Sequence, residues 1–512
     1  MRSRIARVAA VIPAVAALTL VGCSSSGSDT SAADTDAPTS ISVAALTPAT
    51  NFDPLTNWTG PAYNYVVTAY ETLVSLETDG SLTPGIATSW EYTSPTALTM
   101  DIRTDSVFSD GSDLDIDLVV ANIERVRDTP SAVQSRMNSI DTITALDEDT
   151  IEFSLNTPDP SLPGAFSGAS GMIVSQAALD DPDLMLTETA GSGPWMLTDS
   201  VAGSSYTYEL NPEYTGSREV GFDVIQFEVI SDLVAQLNAL LAGDVDLGVA
   251  QWTQRETAEQ NGMAGVGFAG NVGGIWLFDR DGEVVPALAD VRVRQAINYA
   301  IDREALGNAL WSSYQRPTAQ VFSTQTSGYV EELDDYYAYD PERAQELMDE
   351  AGYADGFTMP VVSRATFGDN ARLEATIPYL EAIGITVELV DRTNDYDDAI
   401  ASGEFAAAQS QAGMNDSYVG MTSLLAENAA LNPFGTTDPE LTELIEAASA
   451  ELDPEAAADL WQQVSTWVVE EAWFAPISYY ETHNFYNPEV VTGVELTPGY
   501  AVSIPFTWEP VS

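Results

Sequence analysis

The chain has 512 residues, 78 acidic side chains against 18 basic ones, and a formal net charge of -60. All 18 basic residues are arginine, and there is one histidine, His483, and one cysteine, Cys23. These counts exclude a disulfide framework, a zinc site built from several Cys and His ligands, and a nucleic-acid surface, which needs cations against phosphate.

Arg2, Arg4 and Arg7 precede an apolar run over residues 8–21, interrupted only by Thr19 and containing Pro13. At about 14 residues it is short for a bilayer span and right for the core of a secretory signal. The run ends Leu20-Val21-Gly22-Cys23, which resembles the lipobox of bacterial lipoproteins. That resemblance implies cleavage before Cys23 and acylation of its sulfur, and two or more acyl chains hold a protein stably on a membrane. Residues 24–40 are small and polar without apolar periodicity, so they read as a flexible tether. No later stretch has 18 consecutive apolar residues.

Residues 41–46 (ISVAAL) suit a buried first strand. Residues 65–76 fit a helix start leading into a strand, and 90–102 a hairpin around Thr93-Ser94-Pro95. Leu118, Val119, Ile123 and Val126 recur at helical spacing within 115–126. Residues 140–145 and 150–155 read as a strand pair, 225–229 as a strand and 232–241 as a helix. Helices are predicted over 291–302 and 341–351, the second with Asp340 as N-cap, Pro341 at its first position and Gly352 past its end. A buried strand at 385–390 precedes two helices, 439–450 and 454–470, each opened by Asp-Pro. The body is thus mixed α/β, with no internal repeat. Hydrophobic residues are 45% and charged ones 19%, so the acidity reflects missing cations on a folded protein rather than disorder. It reads as a solvated surface suited to a salty exterior.

Several short motifs occur in order. They are Phe52-Asp53-Pro54, Tyr70-Glu71-Thr72-Leu73, Asp79-Gly80 with residues 84–90 (PGIATSW), and Phe108-Ser109-Asp110-Gly111. Then come Gly191-Ser192-Gly193-Pro194-Trp195, residues 290–296 (DVRVRQA) closing with 300–303 (AIDR), and Tyr339-Asp340-Pro341-Glu342 with Ala351-Gly352-Tyr353 and Gly356-Phe357. Together, from about residue 50 to 485, they resemble the family 5 extracellular solute-binding proteins, the peptide- and nickel-type receptors of ABC importers. The residues themselves read mostly as structural: Gly85, Gly111, Gly191 and Gly193 permit turns, and Arg292 and Arg294 read as ion-paired or lobe-packing side chains.

The resemblance implies a two-lobed periplasmic-binding-protein-like α/β fold (type II) with an extra subdomain inserted in lobe one. It divides the chain into a signal peptide (1–22), a tether (23–40), lobe one (41–271, insertion about 70–175), lobe two (272–478) and a return to lobe one (479–512). Hinge crossings are expected near residues 265–279 and 475–486. It also implies ligand contacts from Trp58 and Gly60 after the first strand, from Trp276 on the first crossing, and from Ser478, Tyr479 and Tyr480 on the second. Trp195 follows the Gly-Pro loop and is either a ligand contact or core. Residues 409–417, with Gln411, Asn415, Asp416 and Ser417, match the lobe-two loop that meets ligand termini. Oligopeptide-binding relatives have Trp where this chain has Met414 and an amine-binding Asp where it has Ser417; Asp416 lies one residue early, and Gln411 stands where an Arg can occur.

The implied function is a lipid-anchored receptor on the outer face of the cell membrane, a monomer without cofactor. It would capture a peptide-like solute and deliver it to ABC permease subunits with their ATPase. An oligosaccharide or another polar solute would fit the same aromatic and amide groups. Nickel fits poorly, because His483 is the one imidazole. The competing class is an extracytoplasmic hydrolase using paired carboxylates, although no acid pair stands out by motif.

Overall fold

A computed structural model describes residues 39–58, 62–131, 133–250, 254–310, 316–324, 326–365, 369–413, 417–427, 429, 431–497 and 503–511. The expected signal peptide, Cys23 and the tether up to residue 38, together with Gly60, Asn415 and Asp416, lie outside these residues, whereas Ser40, expected in the tether, already opens the first strand.

One ten-stranded sheet organises the body. Its strands lie in the order Ile385–Asp391, Phe357–Ser363, Ala407–Gly413, Ala264–Leu277, Phe474–Tyr486, Leu247–Ala250, Ser40–Ala45, Val224–Val229, Ser205–Leu210 and Trp195–Val201. The two strands in the middle are 14 and 13 residues long and pair antiparallel. At about 3.4 Å per residue the longer one reaches about 45 Å, enough to belong to two halves. Three strands lie beyond Ala264–Leu277 and five beyond Phe474–Tyr486. This is an α/β protein with two halves sharing a central pair of long strands.

Each half closes its own core. The first packs Ile41, Val43, Tyr65, Trp195, Tyr208, Phe227 and Trp508. A separate four-stranded sheet, in which Ala97–Ile102 and Thr150–Leu155 are central, packs into the same core with the helix Ile116–Asp128. The second half has a core on each face of its strands. Ile275 and Leu277 join Met359, Val361 and Ile385 in one, while Trp276 joins Val362, Ala408, Trp461 and Phe474 in the other. Period-two alternation explains the division: neighbours on a strand point to opposite faces.

Local chemistry explains the helix boundaries. Asp115, Asp232, Asp290, Asp340, Asp438 and Asp453 each accept a backbone N–H at a helix start, where the unpaired amides favour an anion. Gly352, at φ 85°, ends the helix Pro341–Glu350 as expected. At Gly193 a Cβ would sit 2.5 Å from the Ala69 carbonyl carbon, so close backbone approach, not ligand contact, requires that glycine.

Arg294 is buried and donates to the carbonyls of Glu471 (2.8 Å) and Leu288 (2.9 Å). It fastens the helix Val291–Ala300 to the turn before the second long strand. Arg292 instead pairs with Asp290 at 2.6 Å on the surface.

Three differences from the sequence reading have physical causes. Residues 409–413, expected in a loop, continue the strand Ala407–Gly413, which pairs antiparallel with Ala264–Leu277 and parallel with Phe357–Ser363. Ile385–Asp391 is an edge strand with alternating exposure rather than a fully buried one. Phe357–Ser363 escaped notice because Pro360 interrupts it.

Candidate functional site

Strand direction marks the region where a ligand would meet both halves. Leu247–Ala250 runs antiparallel to the second long strand, from Tyr486 to His483, and the parallel strand Ser40–Ala45 shares its direction. In the other half Ala407–Gly413 runs along the first long strand from Leu277 to Asn271. Strands of both halves therefore point their carboxyl ends at the stretch between them. In open α/β sheets that is where ligands bind.

The expected ligand residues divide by burial. Trp58 is half-buried against the first core, and Gln411 is half-buried opposite Gly273. Neither is fully buried. Trp195 is 1% exposed, and its Nε1 donates to the Phe222 carbonyl at 2.9 Å. It is core, one of the two roles left open for it. Trp276 is 2% exposed, edge-on to Phe474 at 4.7 Å, in the core under the sheet. A solute stacking on its face would have to displace that core. The expectation placed it on the correct strand, but its side chain points to the covered face.

Ser417 opens the helix Ser417–Leu425 and is 4% exposed. Its Oγ lies 2.9 Å from Ser327 Oγ and accepts from the Gly328 N–H at 3.0 Å. No carboxylate replaces the amine-binding Asp at this position, and the hydroxyl already has protein partners.

Ser478 and Tyr479 are fully buried. Ser478 Oγ donates to the Tyr479 carbonyl. The Tyr479 hydroxyl lies 2.8 Å from Asp334 Oδ1 and 3.0 Å from the Phe322 carbonyl, and it accepts from Thr318 Oγ1 at 3.2 Å. Burial first, and then the Asp334 charge, drive its pKa upward, so this phenol stays neutral. Asp334 also accepts from Thr318, Gln320 and Tyr329. This network, unannounced by any sequence motif, ties residues 318–334 to the second long strand and makes Tyr479 a structural contact. The backbone of Tyr480 pairs with Asn271.

His483 is 3% exposed, and desolvation followed by the Arg255 charge pulls its pKa down to about 4, against an opposing pull from Glu259. It is neutral at pH 7. Among the described residues no group of three His, Cys, Asp or Glu side chains could hold a metal ion, and no helix is long and apolar enough to cross a membrane. A cavity of about 620 Å³ lies wholly in the first half, lined in part by Glu77, Arg218, Glu219, Phe506 and Glu509. It touches neither long strand and stands apart from the region between the halves.

Comparison with known proteins agrees with this architecture. Residues 81–432 match the family model described as bacterial extracellular solute-binding proteins, family 5 Middle. A putative ABC transporter peptide-binding protein of Brucella ovis is 25% identical over 443 residues, covering 81% of this chain and 82% of that protein. Among solved structures, HbpA2 from Haemophilus parasuis superposes with a TM-score of 0.82 at 20% identity, covering 92% of this chain and 100% of the other. The periplasmic binding protein DppA from Helicobacter pylori, in complex with peptide STSA, gives 0.75 at 20% identity, with 93% and 99% covered.

Proposed function

The chain belongs to the bacterial extracellular solute-binding proteins of family 5, and on that premise we propose that it is the receptor of an ABC importer for peptide-like solutes. The solute is captured between the two lobes, which close on it by a hinge motion and pass it to the permease subunits and their ATPase. The observation that carries this reading is the central pair of long strands, shared by two lobes whose other strands aim their carboxyl ends at the same space. The peptide-binding relative from Brucella ovis supports the solute class.

In this reading lobe one comprises residues 41–271 with its insertion at about 70–175, lobe two 272–478, and residues 479–512 return to lobe one. Trp58 and Gln411 face the solute, with Gly60, Asn415, Asp416 and Tyr480 as further contacts. Stacking and amide hydrogen bonds supply the affinity, because Ser417 offers no charge for an α-ammonium. An oligosaccharide would use the same groups. Cys23 carries the lipid that holds the monomeric receptor on the outer face of the membrane.

Titration of the purified protein with a pool of short peptides, followed by mass analysis of the pool, tests the reading. Saturable binding with every peptide intact is the expected result. Cleaved peptides would favour the carboxylate-hydrolase alternative, and absence of binding would remove peptides as the solute.

A further inference from the structure

We propose that Arg316 receives an anionic group of the solute, a carboxylate, at the lobe-two rim of the cleft. The inference rests on the receptor reading above and narrows its substrate class. It starts from how the few cations are used. Eleven of the described arginines form ion pairs with carboxylates. Two more, Arg280 and Arg303, are buried and donate to carbonyl and amide oxygens. Of the described arginines, that leaves Arg136, half-buried, and Arg316, exposed, neither with a side-chain hydrogen bond or an ion pair among the described residues. In a chain with 78 acids, an arginine without a carboxylate is the uncommon state.

Arg136 lies on the inserted subdomain, in the turn Gln134–Met137. Arg316 lies beside the second long strand. Its carbonyl accepts the Tyr479 N–H at 3.0 Å, the next residue, Pro317, bridges to Ser478, and its guanidinium carbon sits 5.9 Å from the Tyr479 ring centroid. At the other end of the same strand edge, Ala250 of lobe one pairs with His483. Residues 479–483 therefore span the space between the lobes, with Arg316 on one bank and the carboxyl end of Leu247–Ala250 on the other. The acid next to this corner is committed elsewhere: Asp334 takes donors from Thr318, Gln320, Tyr329 and Tyr479. A guanidinium presents a planar fork that matches a carboxylate in two parallel hydrogen bonds. Lobe closure removes water around it and strengthens that pairing.

The probes are two pools of the same N-acetylated short peptides, one with free C-terminal carboxylates and one with C-terminal amides. Wild-type protein should bind the acid pool about tenfold to a hundredfold more tightly than the amide pool, the range for hydrogen bonds to charged groups. Arg316→Gln should abolish that preference with its melting temperature unchanged, Arg316→Lys should keep part of it, and Arg136→Gln should keep all of it. Equal binding of both pools by the wild type, or a preference that survives Arg316→Gln, overturns the assignment and leaves the receptor reading standing. If neither pool binds, the peptide reading fails and takes this inference with it.

Discussion

Replacing Trp276 by alanine separates a core residue from a ligand contact. The side chain is 2% exposed and packs edge-on against Phe474 beneath the sheet. An indole buries about 150–250 Å², and at about 25 cal/mol per Å² its transfer is worth about 4–6 kcal/mol. Measured large-to-small changes of this kind cost about 3–5 kcal/mol. Trp276→Ala should therefore lower the urea midpoint sharply, while the protein that remains folded keeps its affinity for the cognate solute. Trp276→Phe is the informative partner. It retains most of the ring contact and removes the indole Nε1–H, which is buried without a hydrogen-bond partner among the described residues, a defect worth about 1–3 kcal/mol. The phenylalanine variant should thus be far more stable than the alanine variant, at close to wild-type level. The reasoning is refuted if Trp276→Ala leaves stability unchanged and weakens solute binding tenfold or more.

Three further outcomes follow from single residues. His483 has a folded pKa of about 4 against an ordinary value of 6.5, so the stability from keeping it neutral is full above pH 6.5 and is lost as pH falls towards 4. The difference amounts to about 3 kcal/mol, and His483→Gln should flatten that part of the urea-midpoint profile relative to wild type. Gly193→Ala puts a Cβ 2.5 Å from the Ala69 carbonyl carbon, a clash with backbone that should cost about 1–3 kcal/mol in denaturant unfolding. Cys23→Ala should move the protein from the membrane fraction to the soluble fraction; retention in the membrane would end the lipid-anchor proposal.

The parts legible in the sequence were those set by neighbouring residues. The helices Pro439–Ala450 and Pro454–Glu470 begin where Asp-Pro places a side-chain acceptor and a fixed φ at the first turn. The hairpin of Ala87–Ser94 and Ala97–Ile102 shows its turn and its alternation directly. Non-local elements were harder. Ala407–Gly413 (AAQSQAG) has no β-branched residue, and it is a strand because neighbours on both sides supply its hydrogen bonds. The candidate site shows the same limit. The family motifs located the two long strands, but a run such as Gly273-Gly274-Ile275-Trp276-Leu277, buried on both faces, gives no sign of which side chains face solute. Trp276 and Tyr479 consequently lie in the core, Trp195 takes the core role of the two left open for it, and Trp58 and Gln411 are half-buried. Arg316 has no motif around it, and its isolation is visible only once the partners of the other arginines are known.

Native mass spectrometry of the purified full-length protein bears most directly on the receptor assignment. The account predicts one protein chain carrying one small solute, released intact on denaturation and identified by its mass as a short peptide with a free carboxylate. Conversion of added peptides or glycans to smaller products, with no retained intact solute, would contradict it.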